Sequence, residues 1–310
     1  MQASWRLLRG FVPFTPYDYA GRHEACALCG SRESLPLSRH DRRLKRLTTV
    51  VCAGCGLVRT DPMPTESELA EYYRHHYRAD YQLVGTKPPR RHLKRTRDEA
   101  VRRADLLAPL LPPGPRVLDY GSGSGEFLAE GARRGWRVEG VEPGEAYATH
   151  AQGLGLTVHP ALPEGAGPFD AITSHHVFEH LRDPAAVLET LAAALAPEGV
   201  LYLSVPDMGP SQRPAFDRLH FAHVHGFVPA TLDLLAARAG LVLDPRVPRA
   251  GTTAVYRKGD AAFRPDPTLA ARIRAGFNMV DPVRHIVTFG WLAPSLRRWK
   301  RDIRDSFARR

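Results

Sequence analysis

The chain has 310 residues, of which 43% are hydrophobic and 25% charged, an ordinary globular composition that allows one large domain or two. It has no run of about eighteen apolar residues that would span a bilayer, and residues 1–20 lack the features of a secretory signal, so we expect a cytoplasmic protein. The net charge of +10 falls mainly on residues 1–115 and 281–310, which suits an anionic partner, although an arginine-rich composition alone would give the same distribution.

The four cysteines form two pairs near the start of the chain. Cys26 and Cys29 enclose two residues, as do Cys52 and Cys55, and a glycine follows each pair. Four thiolates in this pattern are typical of a zinc ribbon, where they fill the tetrahedral coordination of one ion and leave no open position for catalysis. Disulfides are the alternative and are rare in the cytoplasm. The pattern therefore predicts a structural Zn²⁺ site.

Two further features lie in the N-terminal part. The basic segment 39–46, between the cysteine pairs, either contacts phosphate groups or forms a solvated loop. Thr65 and Glu68 have the spacing of a capping box, which predicts the start of a helix. This helix carries Tyr72, Tyr73, Tyr77 and Tyr81. The tyrosines either cover a site or serve only for packing.

A strand, a glycine-rich loop and a helix are predicted over residues 117–127. The apolar strand follows a Pro/Gly cluster at residues 111–115 and ends at Asp119, which leads into three glycines at alternate positions. Glycines lack a Cβ, so they allow positive φ and close approach of a ligand. A basic helix over residues 88–111 is expected to pack on the sheet before this strand.

The G-x-G-x-G spacing, with an acid two residues before the first glycine, differs from the G-x-G-x-x-G of dinucleotide-binding enzymes. It resembles motif I of the class I S-adenosylmethionine-dependent methyltransferases. The resemblance implies a Rossmann-like α/β sheet with helices on both faces, preceded here by a small N-terminal zinc ribbon. It also implies that Glu142, at the end of the next predicted strand, binds the ribose hydroxyls of the cofactor. The predicted cofactor-binding residues are Asp119, Gly121, Gly123, Gly125, Glu142, Ser174 and His175. NAD could also bind through a similar acid, but the spacing of the glycines favours S-adenosylmethionine over NAD.

Two later segments carry the second part of the resemblance. F-D-A-I at residues 169–172 predicts a strand, and H-H-V-F-E-H at residues 175–180 predicts the opening of the helix after it, where many class I enzymes have a similar E-H. L-A-P-E-G at residues 195–199 resembles the turn into the following strand. The chain lacks the D/N-P-P-Y of enzymes that methylate exocyclic amines and the Pro-Cys of those that methylate cytosine C5.

Histidines are the candidates for a general base. Methyl transfer to a hydroxyl requires removal of its proton, and imidazole titrates near neutrality. The predicted catalytic residues are His176, His180, His223 and His225, and the alternative for each is a structural role.

His176, Glu179 and His180 also match the zinc-protease pattern H-x-x-E-H, and on a helix they would face one way. The glycine loop and strand signatures around them argue against a protease. Ubiquinone-pathway O-methyltransferases have E-x-x-E-H at this place and are thought to bind a divalent ion. This chain departs from that pattern at His176, so a second metal stays an open alternative.

Four segments are predicted along the chain. They are an N-terminal segment with the zinc ribbon (1–62), a Tyr-rich covering helix or linker (63–89), a methyltransferase domain (90–260) and a basic helical tail (261–310). Apolar residues at helical spacing over residues 292–307 suit contact with a membrane surface, packing on the domain or a second subunit.

The cysteine ribbon, the Tyr-rich helix and motif I together resemble bacterial methyltransferases linked to sugar and cell-surface polysaccharide pathways. This resemblance implies methyl transfer to an oxygen or carbon of a small-molecule acceptor, with a sugar or nucleotide-sugar as first choice. One alternative is an RNA methyltransferase whose ribbon holds nucleic acid. Another is a module that binds the cofactor without chemistry.

Overall fold

Two β-sheets organise the part of the chain that this computed structural model describes, residues 13–75, 90–211, 213–281 and 287. The predictions for Tyr77, Tyr81 and the segment 292–307 lie outside these residues. No helix within the described ranges has the length and the apolar character needed to cross a membrane.

Helices and strands alternate along most of these ranges. The strands are β1 (Ser34–His40), β2 (Arg46–Cys52), β3 (Val58–Thr60), β4 (Arg116–Tyr120), β5 (Arg137–Val141), β6 (Val158–His159), β7 (Phe169–His175), β8 (Leu195–Ser204), β9 (His225–Gly226), β10 (Leu241–Leu243) and β11 (Thr253–Lys258). The α-helices are α1 (Glu66–His75), α2 (Arg90–Leu107), α3 (Glu126–Arg133), α4 (Glu145–Gln152), α5 (Pro184–Ala194), α6 (Pro229–Arg238) and α7 (Leu269–Phe277).

The larger sheet has the strand order β10-β11-β8-β7-β4-β5-β6. Strands β4 to β8 are parallel, and β11 and β10 add antiparallel strands at one edge. The chain places β5 and β6 on one side of β4 and then returns to place β7 and β8 on the other. Ligands of such sheets bind at the carboxyl ends of the strands where the order reverses, which here is between β4 and β7. The predicted Rossmann-like α/β sheet is confirmed.

Helices cover both faces of this sheet. Successive side chains of a strand point to opposite faces, and the neighbours Val117 and Leu118 in β4 are both fully buried. Val117 packs with Ala104 and Leu107 of α2, whereas Leu118 packs in a separate cluster with Leu188 of α5. Each fully buried leucine contributes about 2 kcal/mol. The two layers therefore hold the strand ends in place from both sides.

The helix predicted to begin at His175 begins instead at Pro184. Residues Phe178–His180 form one 3₁₀ turn, and Asp183 caps α5 by accepting a hydrogen bond from the Ala186 N–H at 3.0 Å. Proline is favoured at the first helical turn, and the residue before it is held out of the helical conformation. The predicted start was therefore wrong by the length of this connecting turn.

The smaller sheet is antiparallel, with the order β1-β2-β3-β9. Its first three strands come from the cysteine-containing region, whereas β9 comes from far along the chain. Val58 lies opposite Gly226 and Arg59 opposite His225, and the Thr60 N–H donates to a carbonyl just before β9 at 2.9 Å. The N-terminal sheet therefore fixes one end of the segment 219–228, which carries several histidines.

The four cysteine side chains lie together beside this sheet. Cys26 Sγ is 3.6 Å from Cys55 Sγ, and Cys29 Sγ is 3.4 Å from Cys52 Sγ. All four sulfurs lie within 4.8 Å of one another, and none is in a disulfide. Thiolates bound to one Zn²⁺ at 2.3 Å would lie about 3.8 Å apart in tetrahedral geometry. The cluster is therefore compatible with structural zinc.

Removal of zinc should loosen β9 as well as the cysteine loops. A structural zinc site supplies folding free energy, and β9 depends on β3 for its backbone pairing. We expect amides in residues 58–60 and 224–226 to exchange hydrogen at least tenfold faster after chelation. The measurement is hydrogen exchange by mass spectrometry with zinc quantified in the same sample.

The matched control for this experiment is the segment 137–141, which pairs on the far side of the larger sheet. Its exchange should not change. Loss of zinc without faster exchange in residues 224–226 would contradict the coupling.

Candidate active site

The glycine loop after β4 requires glycine for two reasons. Gly121, Gly123 and Gly125 have φ of 82°, 53° and 87°, a region that other residues rarely adopt. A Cβ on Gly121 would lie 2.2 Å from Val177 Cγ2, so this turn passes directly against the residue after His176. A Cβ on Gly123 would meet nothing within 4 Å, so the middle of the loop faces open space. The loop can therefore approach a ligand from that side.

Glu142 follows β5 and ties down the glycine loop. Its Oε2 accepts a hydrogen bond from the Gly123 N–H at 3.0 Å, and its Oε1 accepts one from the Gly144 N–H at 2.7 Å. Burial raises the pKa of the Glu142 carboxyl, and the two N–H groups act in the opposite direction. Each carboxylate oxygen keeps a lone pair for a further donor such as a ribose hydroxyl. The ribose-binding role stays a prediction.

Asp119 is buried and its described contacts run to α2 and β7. Arg103 Nη1 lies 3.0 Å from Asp119 Oδ1, and the Thr173 hydroxyl donates to the same oxygen at 2.5 Å. The Arg103 guanidinium also stacks on the Phe127 ring at 4.0 Å. This buried pair holds the strand end that enters the glycine loop. The sequence did not single out Arg103, because it is one of many arginines on a basic helix.

Ser174 and His175 end β7, across the reversal of strand order from the glycine loop. The buried Ser174 Oγ has no hydrogen-bond partner among the described residues, and the same is true of Ser122 Oγ in the loop. Burial, with the nearby charges of His176 and Arg103, lowers the pKa of His175 to about 2, so this ring is neutral. The unpartnered hydroxyl of Ser174 at the end of β7 is consistent with a polar ligand there. The predicted contacts with cofactor remain predictions.

Three of the four predicted catalytic histidines surround one buried carboxylate. Glu179 is 1% exposed. Its Oε1 lies 3.2 Å from His176 Nδ1 and 3.9 Å from both His180 Nε2 and His223 Nε2. The His220 and His223 rings are tilted by 48° with their centroids 3.7 Å apart. The structure therefore brings together residues 176–180 and the later segment 219–228, which sequence spacing does not connect.

The hydrogen bonds of His180 determine which of its nitrogens carries the proton. His180 Nδ1 lies 2.8 Å from the Ala222 carbonyl oxygen, which can only accept, so Nδ1 is the protonated nitrogen. The Tyr73 hydroxyl of α1 is 2.8 Å from the same nitrogen and donates to the Ala222 oxygen at 3.4 Å. His180 Nε2 is consequently the nitrogen that faces Glu179. Burial lowers the pKa of His180 and of His223, which keeps both rings neutral.

The tyrosines of α1 divide between packing and the site. Tyr72 is buried against Tyr17 and Phe221, whereas Tyr73 reaches His180. Tyr72 therefore serves for packing, whereas Tyr73 contacts a predicted catalytic histidine, and its role in covering a site stays a prediction. The adjacent positions of Tyr72 and Tyr73 on a helix explain this difference, because neighbours face different directions.

The fourth predicted base, His225, does not join the cluster. It lies in β9, is 1% exposed, and its Nδ1 donates to the Leu181 carbonyl oxygen at 2.8 Å. Its other ring nitrogen has no hydrogen-bond partner among the described residues. A catalytic role for His225 stays a prediction, and its described contacts are with the Leu181 carbonyl, Arg59 of β3 and the Phe227 ring.

Comparisons with known proteins agree on the central part of the chain. A family model described as a methyltransferase domain matches residues 90–245, half of the chain. Two curated relatives, from Caulobacter sp. strain K31 and Caulobacter vibrioides, are both called ubiquinone biosynthesis O-methyltransferase. They are 41% identical over 102 residues and 36% identical over 121 residues, which cover 29% and 35% of this chain. These matches span 40% and 48% of the relatives, less than half of their length.

One solved structure is the 1,6-didemethyltoxoflavin-N1-methyltransferase of Burkholderia thailandensis with bound 1,6-didemethyltoxoflavin and S-adenosylhomocysteine. It is 21% identical, with a TM-score of 0.46, and the match covers 69% of this chain and 96% of that one.

Gly121→Ala should damage the loop beyond the effect of backbone strain alone. The new Cβ would both strain the backbone and collide with Val177, which we expect to lower the free energy of unfolding by about 3 kcal/mol. Calorimetric titration should show at least tenfold weaker binding of S-adenosylhomocysteine. Gly114→Ala is the control, because φ there is 61° and nothing lies within 4 Å of the added Cβ. Equal effects of the two substitutions would contradict the close-contact argument.

Burial of His225 should make stability depend on pH. Burial lowers the pKa of His225 to about 4 in the folded chain, against about 6.5 in the unfolded chain. Below pH 6.5 the unfolded state therefore binds more protons than the folded state, so the free energy of unfolding falls as the pH drops toward 4. Between pH 7 and pH 5 this histidine accounts for a loss of about 2 kcal/mol.

Urea unfolding at the two pH values measures this effect. The free energy of unfolding should differ between pH 7 and pH 5 by about 2 kcal/mol less in His225→Gln than in the unmodified chain. His150→Gln, on α4, is the control and should retain the full difference. An unchanged difference in His225→Gln would show that this histidine does not titrate on unfolding as expected.

Proposed function

Because the chain belongs to the methyltransferase domain family and is an S-adenosylmethionine-dependent methyltransferase, we propose that it transfers the methyl group to a hydroxyl oxygen of a small molecule. The observation that carries this proposal is the grouping of Glu179 with His176, His180 and His223. Val177, next to His176, contacts the turn at Gly121. An acid-base cluster therefore lies beside the loop assigned to the cofactor.

A hydroxyl acceptor needs a base because its oxygen is a weak nucleophile until the proton leaves. S-adenosylmethionine, when bound, would supply the methyl group, which would pass from its sulfur to the acceptor oxygen. We assign the departing proton to His176 Nε2. Its Nδ1 lies 3.2 Å from Glu179 Oε1, and its side chain is 49% exposed. A carboxylate behind an accessible imidazole orients the ring and stabilises its charged form.

For the acceptor, we propose a sugar linked to a nucleotide or another phosphate. The support comes from the basic segment 39–46. The Arg42 N–H donates to the Leu219 carbonyl oxygen at 2.9 Å, so this segment adjoins the residues that carry His220 and His223. Arginine side chains bind phosphate groups well. This arrangement suits an acceptor whose neutral sugar enters the histidine cluster while its phosphates stay at the rim.

A phenolic acceptor is the second candidate. It is favoured by the names of the curated relatives, which are ubiquinone biosynthesis O-methyltransferases with 36–41% identity over the matched segments. Those matches cover less than half of the relatives, so their acceptor does not transfer to this chain without a test.

The test is a screen of acceptors with S-adenosylmethionine, followed by mass spectrometry of the product. We expect a mass gain of one methyl group on a nucleotide-sugar and none on catechols or RNA. Methylation of a catechol would favour the second candidate, and methylation of RNA that weakens steeply with salt would overturn the small-molecule proposal. Binding of S-adenosylhomocysteine without transfer to any acceptor would favour a non-catalytic module.

Substitution of the base tests the mechanism once an acceptor is known. His176→Gln should lower kcat at least a hundredfold, the usual range for loss of a general base, while S-adenosylhomocysteine binds with unchanged affinity. His150→Gln is the matched control and should retain full kcat. A wild-type kcat in His176→Gln would remove His176 from the mechanism.

A further inference from the structure

The Glu179 carboxylate has an environment that is incomplete without a further group. It is 1% exposed, and its Oε2 has no hydrogen-bond partner among the described residues. Its described ion-pair contacts are three histidines, His176, His180 and His223, and no described lysine or arginine pairs with it. Buried carboxylates are normally paired with a cation or bound to a metal. A cation bound at this position would give the carboxylate the partner that it lacks among the described residues.

The surrounding nitrogen atoms are arranged as metal ligands. The ligand atoms of Glu179, His180 and His223 all lie within 4.8 Å of one another. His180 donates its Nδ1–H to the Ala222 carbonyl oxygen at 2.8 Å, so the Nε2 lone pair faces the carboxylate. Metal-binding histidines generally donate the other ring N–H to a carbonyl or carboxylate in this way, which fixes the ring.

We infer that Glu179, His180 and His223 bind one divalent cation of the zinc type, separate from the cysteine site. His223 takes the third position, in place of the His176 that sequence spacing would select. His176 has φ of 58°, and the following residues Phe178–His180 form a 3₁₀ turn. The i, i+3, i+4 spacing therefore does not align the three residues on one helical face.

The distances fit such an ion after small shifts. Ligand atoms bound at 2.0–2.1 Å in tetrahedral geometry lie roughly 3.4 Å apart. The separation from Glu179 Oε1 to His180 Nε2 and to His223 Nε2 is 3.9 Å in both cases. The two separations from Glu179 are therefore about half an ångström longer than in a tetrahedral site, and all three ligand atoms lie within 4.8 Å of one another. Two imidazoles and a carboxylate suit Zn²⁺ or Co²⁺ better than Mg²⁺, which prefers oxygen ligands.

Three protein ligands leave one position open, as in catalytic rather than structural zinc sites. This part of the inference rests on the proposed function. The acceptor hydroxyl would occupy the open position, where the cation makes it more acidic. His176, which contacts Glu179 but is not a ligand, remains available to take its proton. The cysteine site has four thiolates and offers no such position.

The experiment is a titration of Co²⁺ into the full chain that already holds zinc at the cysteines. We expect one further equivalent to bind, with visible absorption but without the intense near-ultraviolet band of cobalt–thiolate bonds. Calorimetry should give the same stoichiometry, and Mg²⁺ at the same concentration should not compete. Binding of no further equivalent would overturn the inference.

Matched substitutions identify the ligands. Glu179→Gln and His223→Gln should each weaken binding of the second Co²⁺ equivalent more than tenfold. His176→Gln should bind it with unchanged affinity. Retention in His223→Gln with loss in His176→Gln would overturn the assignment and favour the triad that sequence spacing suggests. If Glu179→Gln fails to fold, the spectrum of the unmodified chain and the His223→Gln titration still decide.

This result can be separated from the proposed function, because metal binding is measured without an acceptor. A second metal equivalent in a chain that transfers no methyl group would contradict the proposed function and leave the metal site intact. Methyl transfer by a chain that binds no second metal equivalent would contradict the metal site and leave the proposed function intact.

Discussion

The parallel pairing of β4 with β5 on one side and β7 on the other is the constraint on which the site depends. It places the carboxyl ends of three strands along one edge. Because each strand there continues directly into a polar or glycine-rich turn, Gly123, Glu142 and Ser174 come from separate parts of the sequence to that edge. Helices pack on both faces of these strands.

The second sheet contributes to the same region from the other side. Its strand β9 pairs with β3, and α1 extends from the same part of the chain to bring the Tyr73 hydroxyl to His180. The N-terminal region thus contacts the histidine cluster, while the larger sheet carries the glycine loop. This division connects the cysteine cluster with the position of the histidines, although none of the cysteines is among the described contacts of the histidine cluster.

Buried charge is handled in two ways in this protein. Asp119 is paired with Arg103, whose guanidinium is itself covered by the Phe127 ring. Glu179 is equally buried but is surrounded by imidazoles, two of which are neutral because burial lowers their pKa. In the first arrangement the buried carboxylate has a cationic partner, and the pair stabilises the strand end. In the second, Glu179 Oε2 has no hydrogen-bond partner among the described residues, which suits the cation inferred above.

Local pattern alone determined the cysteine cluster, the glycine loop and the capping box at Thr65 and Glu68, where the Glu68 carboxylate accepts from the Thr65 N–H at 2.7 Å. These features depend on neighbouring residues and on backbone conformations that only glycine adopts easily. The partners of Glu179 depended on tertiary structure, since His223 arrives from a segment that β9 holds in place. Sequence spacing selected His176 because it assumed a continuous helix, whereas Pro184 delays that helix and leaves a short turn. Contacts between distant segments follow from how the two sheets pack, and local sequence patterns do not predict that packing.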